Sequence, residues 1–167
     1  YKNLLLTEQP KGDWAITVLR QYLFSQFQYL LFEQLQKSKD TQLAAIAAKS
    51  IKETTYHVRW SKEWVIRLGD GTELSQQKIL HALEELWPYT GEMFMAADYE
   101  TAIEIDLIVL KAQWIEKVTA VFDEAKLPVL ENVFMQTGGK TGTHTEHLGF
   151  ILAEMQYMQR AYPNMNW

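Results

Sequence analysis

The chain has four histidines and no cysteine, so any metal chemistry must rest on imidazole and carboxylate. His57 is the most informative of the four. It lies in 45–64, a stretch without Gly or Pro that reads as one long helix. Leu43, Ala47, Ser50, Thr54, His57, Ser61, Trp64 and Leu68 are spaced alternately four and three residues apart. That is the spacing of a helix packed inside a bundle, and it turns Thr54 and His57 inward. Bundles that hold two irons use an inward Glu followed three residues later by an inward His. Here Thr54 stands in the place of the Glu, and Glu53 is one residue out of register. The preceding helix should add a carboxylate, but its middle offers Ser25 and Gln28, poor iron ligands beside carboxylate and imidazole. Ser25, Gln28, Thr54 and His57 thus read as a degenerate metal site. The plainer alternative is a buried His57 satisfied by a neighbouring helix.

Two further clusters carry charge. Lys49 adjoins the inward seam, with Lys52 and Glu53 close by in sequence. A buried Lys49 ammonium paired with carboxylates would replace the charge of a missing metal. The alternative is an ordinary solvated face, because an unpaired buried charge is costly. His144 and His147 share a helix face at i, i+3, which permits a metal. Thr143 and Glu146, however, have the spacing of a capping box, and surface histidines beside a helix cap are the simpler reading. Gly139-Lys140-Thr141 ends like a phosphate-binding loop, but Phe134 occupies the position of the required first Gly and no apolar strand precedes it. No nucleophile elbow or dinucleotide glycine pattern is present.

The elements that must position these residues are helices. The periodicity predicts them near 14–37, 41–68, 73–95, 107–125 and 144–161. Asp13 is an N-cap for the first, and Gly69 suits a left-handed end of the second. Pro88 should kink or split the third. Residues 96–106 read as a loop, and 127–142 as irregular with a flexible end at Gly138–Gly142. The turn at 38–41 is short, which makes the first two long helices antiparallel.

At 167 residues with 47% apolar and 13% aromatic side chains, the chain is long and apolar enough for one globular domain. Its net charge of −5 argues against nucleic acid as a partner. The absence of Cys fits a cytoplasmic location, and no apolar run reaches the length of a membrane span. The first residue is Tyr1, not Met, so a fragment or trimmed product is expected. The helix over 21–35 is apolar nearly all round, and the C-terminal helix carries large apolar groups on several faces. Phe27, Leu31, Met155, Tyr157, Met158 and Tyr162 are therefore candidates for a subunit interface.

Leu43 through Glu53, followed by Tyr56-His57, resembles the C subunits of bacterial phenylacetyl-CoA epoxidases. So do Arg67 through Thr72 and Leu86-Trp87. The most specific match runs from Thr137-Gly138-Gly139-Lys140 through His144 to Gly149, and on to Leu152 through Tyr157. The resemblance covers nearly the whole chain. It implies an all-α, ferritin-like bundle and a non-catalytic structural subunit with no cofactor of its own. The implied partners are a di-iron catalytic A subunit and other subunits of the complex, in a homo- or hetero-oligomer that serves aerobic phenylacetate degradation. Members of this family have further N-terminal helices, so residues 1–167 are expected to be a single domain incomplete at its N-terminus. The stretch 96–106 is shorter than usual. Two alternatives remain: an independent ferritin-like di-iron oxidase or oxygenase using His57 and Glu53, and a helical protein-interaction module.

Overall fold

The computed structural model describes residues 1–101, 103 and 105–166. Among the described residues, seven α-helices follow one another: α1 (Trp14–Leu35), α2 (Thr41–Gly69), α3 (Glu73–Leu86), α4 (Asp98–Thr101), α5 (Leu107–Glu124), α6 (Glu146–Met155) and α7 (Tyr157–Ala161). Short 3-10 turns lie at Leu5–Glu8, Trp87–Tyr89, Gly91–Phe94 and Gly139–Thr141. The fold is the all-α, ferritin-like bundle expected from the sequence, with no strand among the described residues. No helix among them is long and apolar enough to cross a membrane.

Side-chain caps fix where the long helices begin. The Asp13, Asp40 and Asp106 carboxylates each accept two backbone N–H groups of the following turn, and the Thr72 hydroxyl accepts one from Ser75. These donors have no partner within their own helices, so each cap removes a defined cost. That is why the predicted starts at 14, 41, 73 and 107 hold.

The ends differ more. α1 stops at Leu35, not 37. α3 stops at Leu86, and 87–94 winds into two 3-10 turns around Pro88. The expected loop 96–106 contains α4, while positions 102 and 104 lie outside the described residues. The last helix starts at Glu146 rather than 144 and breaks at Gln156 into α6 and α7. Gly69 is helical, not left-handed, and Asp70 (φ −91°) follows it as the cap. Gly69 is needed for another reason: a Cβ there would lie 2.0 Å from the Ala125 carbonyl oxygen. α2 meets the end of α5 backbone to backbone.

α1 sits at the centre, with α2, α3 and α5 around it. Val18, Leu19, Tyr22 and Leu23 are fully buried. Phe27, a candidate for the interface, is instead in the core at 4% exposure, its ring 5.8 Å from Phe94 and edge-on to it. The helix is apolar on many faces because its own chain covers those faces. From Phe94 the aromatic contacts continue through Trp114 and Trp87 to Phe122. The Trp114 indole donates to the Leu23 carbonyl and Trp87 to that of Leu130, both at 3.0 Å. Burial pushes the Tyr22 phenol well above its ordinary value, and its hydroxyl donates to the Lys117 carbonyl at 3.3 Å. Among the described residues, no buried side-chain nitrogen or oxygen lacks a partner.

Gly69→Ala tests the close approach of α2 to α5. An added Cβ must push α2 off α5, which should cost about 1–3 kcal/mol in chemical denaturation. At an ordinary helical position with open space beside it, Ala would instead stabilise by about 0.5–1 kcal/mol.

Candidate functional site

The α1–α2 hairpin holds the residues singled out as a degenerate metal site. Ser25 and Thr54 are buried, and both hydroxyls are used within their own helices. Gln21 donates to Ser25 at 2.6 Å, and Thr54 donates to the Ser50 carbonyl at 3.1 Å. Gln28 is half-buried. His57 is neither inward nor buried, contrary to the sequence reading. Its side chain is 39% exposed, with Nε2 3.9 Å from a Glu53 oxygen that is itself at the surface. The reason lies in how α2 packs. Ala47, Thr54 and Ser61 form a buried line, while Leu43, Ser50, His57 and Trp64 are only half-buried. α1 covers one line of the alternating seam and leaves the other at its edge.

Lys49, Lys52 and Glu53 are exposed. A buried ammonium standing in for a metal is therefore not what this hairpin holds. Two hydroxyls, an amide and one imidazole also do not match the Glu and Glu-x-x-His set that binds two irons. Among the described residues, no three His, Asp or Glu side chains stand close enough to hold a metal ion.

The charged groups that are buried lie elsewhere, and nothing in the local sequence marks them. The Glu92 carboxylate accepts backbone N–H groups from Leu5 (2.9 Å), Gly138 (2.8 Å) and Lys140 (3.1 Å). The Lys140 ammonium donates to the carbonyls of Met93 and Met95 and to both oxygens of Glu100, at 2.7–3.1 Å. The Glu8 carboxylate, 1% exposed, accepts from Asn3, from the Thr145 N–H and from the Thr145 hydroxyl. His144 Nδ1 lies 2.7 Å from the same carboxylate, and Nε2 lies 3.0 Å from the Tyr1 carbonyl. Burial alone would push the Glu8 carboxyl up. The hydrogen bonds from Thr145, His144 and Asn3 outweigh that and hold it below its ordinary value.

Three expectations change with these contacts. His144 is a nearly buried partner of Glu8, not a surface residue. Thr143 caps nothing: Thr145 is the N-cap position, and it gives its hydroxyl to Glu8 rather than to the helix. Gly138–Gly142 is not a flexible end. A Cβ at Gly139 would lie 2.1 Å from the Asn3 carbonyl oxygen, so the two chain segments touch there. The paired glycines are a local signal of close approach, but the remote partners of this segment run from Glu100, 40 residues from Lys140, to Asn3, whose N–H donates to the Gly139 carbonyl.

α6 and α7 contain no buried residue. α6 packs on the turn Leu5–Glu8, next to the Glu8 contacts. Met155, Tyr157, Met158 and Tyr162 are all exposed, while Leu31 is half-buried.

The chain matches the family model described as phenylacetic acid catabolic protein over residues 1–167. It is similar to the C subunit of 1,2-phenylacetyl-CoA epoxidase from Escherichia coli (strain K12). The two are 47% identical over 172 residues, covering all of this chain and 69% of that protein.

The two lysines should behave oppositely when replaced by Met. Lys140→Met strands the Glu100 carboxylate and two carbonyls, and should cost about 3–5 kcal/mol in denaturant unfolding. Lys49→Met should stay within about 0.5 kcal/mol. Equal effects would contradict this placement of charge.

Glu8 predicts an acid limb. Its folded-state value is depressed, so its contribution is complete above its ordinary 4.5 and is lost as pH falls through the lower folded value. Glu8→Gln should flatten that part of the stability–pH curve. A curve unchanged in shape would show that Glu8 does not drive it.

Proposed function

The chain belongs to the phenylacetic acid catabolic protein family, and from that premise we propose that it is a non-catalytic structural subunit of a phenylacetyl-CoA ring-epoxidising oxygenase. In this reading it binds the di-iron catalytic A subunit and stabilises it during oxygen-dependent epoxidation in aerobic phenylacetate degradation. The iron resides in that partner, and this chain holds no cofactor. It works in the cytoplasm, beside other subunits of the complex, and not on nucleic acid or a membrane.

One observation carries the reading. At the inward positions where a di-iron hairpin needs carboxylates, this hairpin has Ser25 and Thr54, each committed to a hydrogen bond inside its own helix. Such a hairpin keeps the architecture of an oxygenase subunit without the ligands for its chemistry. The exposed apolar side chains of α6 and α7 supply the other half of the role, a surface for a partner. An obligate contact of this kind buries roughly 2,000 Å² or more.

Tyr157→Asp and Met158→Asp test it. Both side chains are exposed, so the fold should stay within about 0.5 kcal/mol of the original. Each variant should lose capture of the catalytic partner by at least about tenfold, as expected for a charge buried at an apolar interface. Capture at unchanged affinity would remove α7 from the interface. A catalytic partner fully stable and active without this chain would overturn the structural role.

A further inference from the structure

We propose that the outer face of α5 pairs with the same face of a second copy of this chain, with the two helices parallel. α5 buries Leu110, Trp114, Val118, Val121 and Phe122 against the bundle. On its other side Ile108, Ala112, Ile115 and Thr119 follow one another at steps of four, three and four. That is the spacing of a helix-pairing seam. The seam is open to solvent: Ile108 is 84% exposed, the most exposed of the large apolar side chains among the described residues, and Ala112 and Ile115 are exposed as well. α5 thus carries a second seam, of Ile108, Ala112 and Ile115 with the half-buried Thr119 at its end, which the described residues leave largely exposed.

Charge selects the occupant and its direction. Lys111 and Glu116 flank the open seam on opposite sides, five residues apart. Neither forms an ion pair within its own chain among the described residues. In a parallel pair about a two-fold axis, a flanking residue meets the residue five positions further along on the other flank of its partner. Lys111 then faces Glu116 of the second copy, and Glu116 faces Lys111 of the second copy. Antiparallel pairing would bring each flank against itself; the Lys111 flank then offers only Val118, already buried in its own bundle, and the Glu116 flank only Val109, so no charge is matched. The face is therefore self-complementary in one orientation, as an isologous interface must be. Ala112 at the middle lets the backbones approach, and Ile108 and Ile115 supply the apolar contact. The seam is about three turns long, so the pair falls below the size of a standard interface and should be weak and concentration-dependent.

Sedimentation of the full chain, without any other component of the complex, tests the proposal from about 5 to 500 μM, the range suited to a weak pair. Reversible dimerisation is expected. Ile108→Asp should weaken it at least about tenfold while circular dichroism stays unchanged, because this side chain touches little of its own fold. Lys111→Glu and Glu116→Lys should each weaken self-association about tenfold by placing like charges together, while an equal mixture of the two should form a heterodimer tighter than either alone. The double variant Lys111→Glu/Glu116→Lys should return to within about threefold of the original. A chain that is monomeric throughout, a dimer indifferent to Ile108→Asp, or single-charge variants that the mixture fails to rescue would each overturn the proposal. Capture of the catalytic partner through α7 is a separate measurement, and it stands or falls independently.

Discussion

A helix that is apolar on almost every face has to be surrounded, and α1 is such a helix. α2 lies along it, α3 and α5 close the other sides, and the Trp114 and Trp87 indoles fill the space between. Both indole N–H groups meet backbone carbonyls, so large rings are buried without stranding a donor. The line of α2 that touches α1 is made of Ala47, Thr54 and Ser61, which are small enough for close approach. A Glu at 54 would place a carboxylate in that line, where its charge would need a metal or a cation to be tolerated. Close packing of the hairpin and the lack of a carboxylate at this inward position are thus two consequences of the same residue.

The ends of the chain are held differently. Glu8, Glu92 and Lys140 are buried charges, and each has at least three hydrogen-bonding partners. Burial of charge is tolerated only on those terms. These contacts join the N-terminal segment, the turn at 91–94 and the 138–145 segment. They anchor the start of α6, whose Leu148, Ile151 and Leu152 are half-buried, while Phe150 and Met155 of α6 and Tyr157 and Met158 of α7 stay exposed. These exposed groups remain on the surface, where a partner protein has access to them.

Local signals are legible in the sequence, and long-range ones are not. The helix starts are readable because Asp13, Asp40, Thr72 and Asp106 act within a few residues of themselves. Thr54 lies where its spacing puts it, because seam spacing is a local property. His57 does not, because spacing does not say whether one or two neighbours cover a seam. Phe27 reads as interface because all-round apolarity looks the same whether the cover comes from another chain or from three helices of its own. Gly138-Gly139-Lys140 reads as flexible because Asn3, Glu92 and Glu100 are remote in sequence, and nothing near Lys140 announces them. At each of these last three places, a contact between distant segments decides the outcome.

The central claim is that this chain supports iron chemistry without holding the iron. Metal analysis of the purified full-length protein, separated from its catalytic partner after expression in iron-replete cells, addresses it directly. The iron should stay with the partner, leaving this protein well below one iron per chain. About two irons per chain, the content of a ferritin-like di-iron protein, would contradict the account.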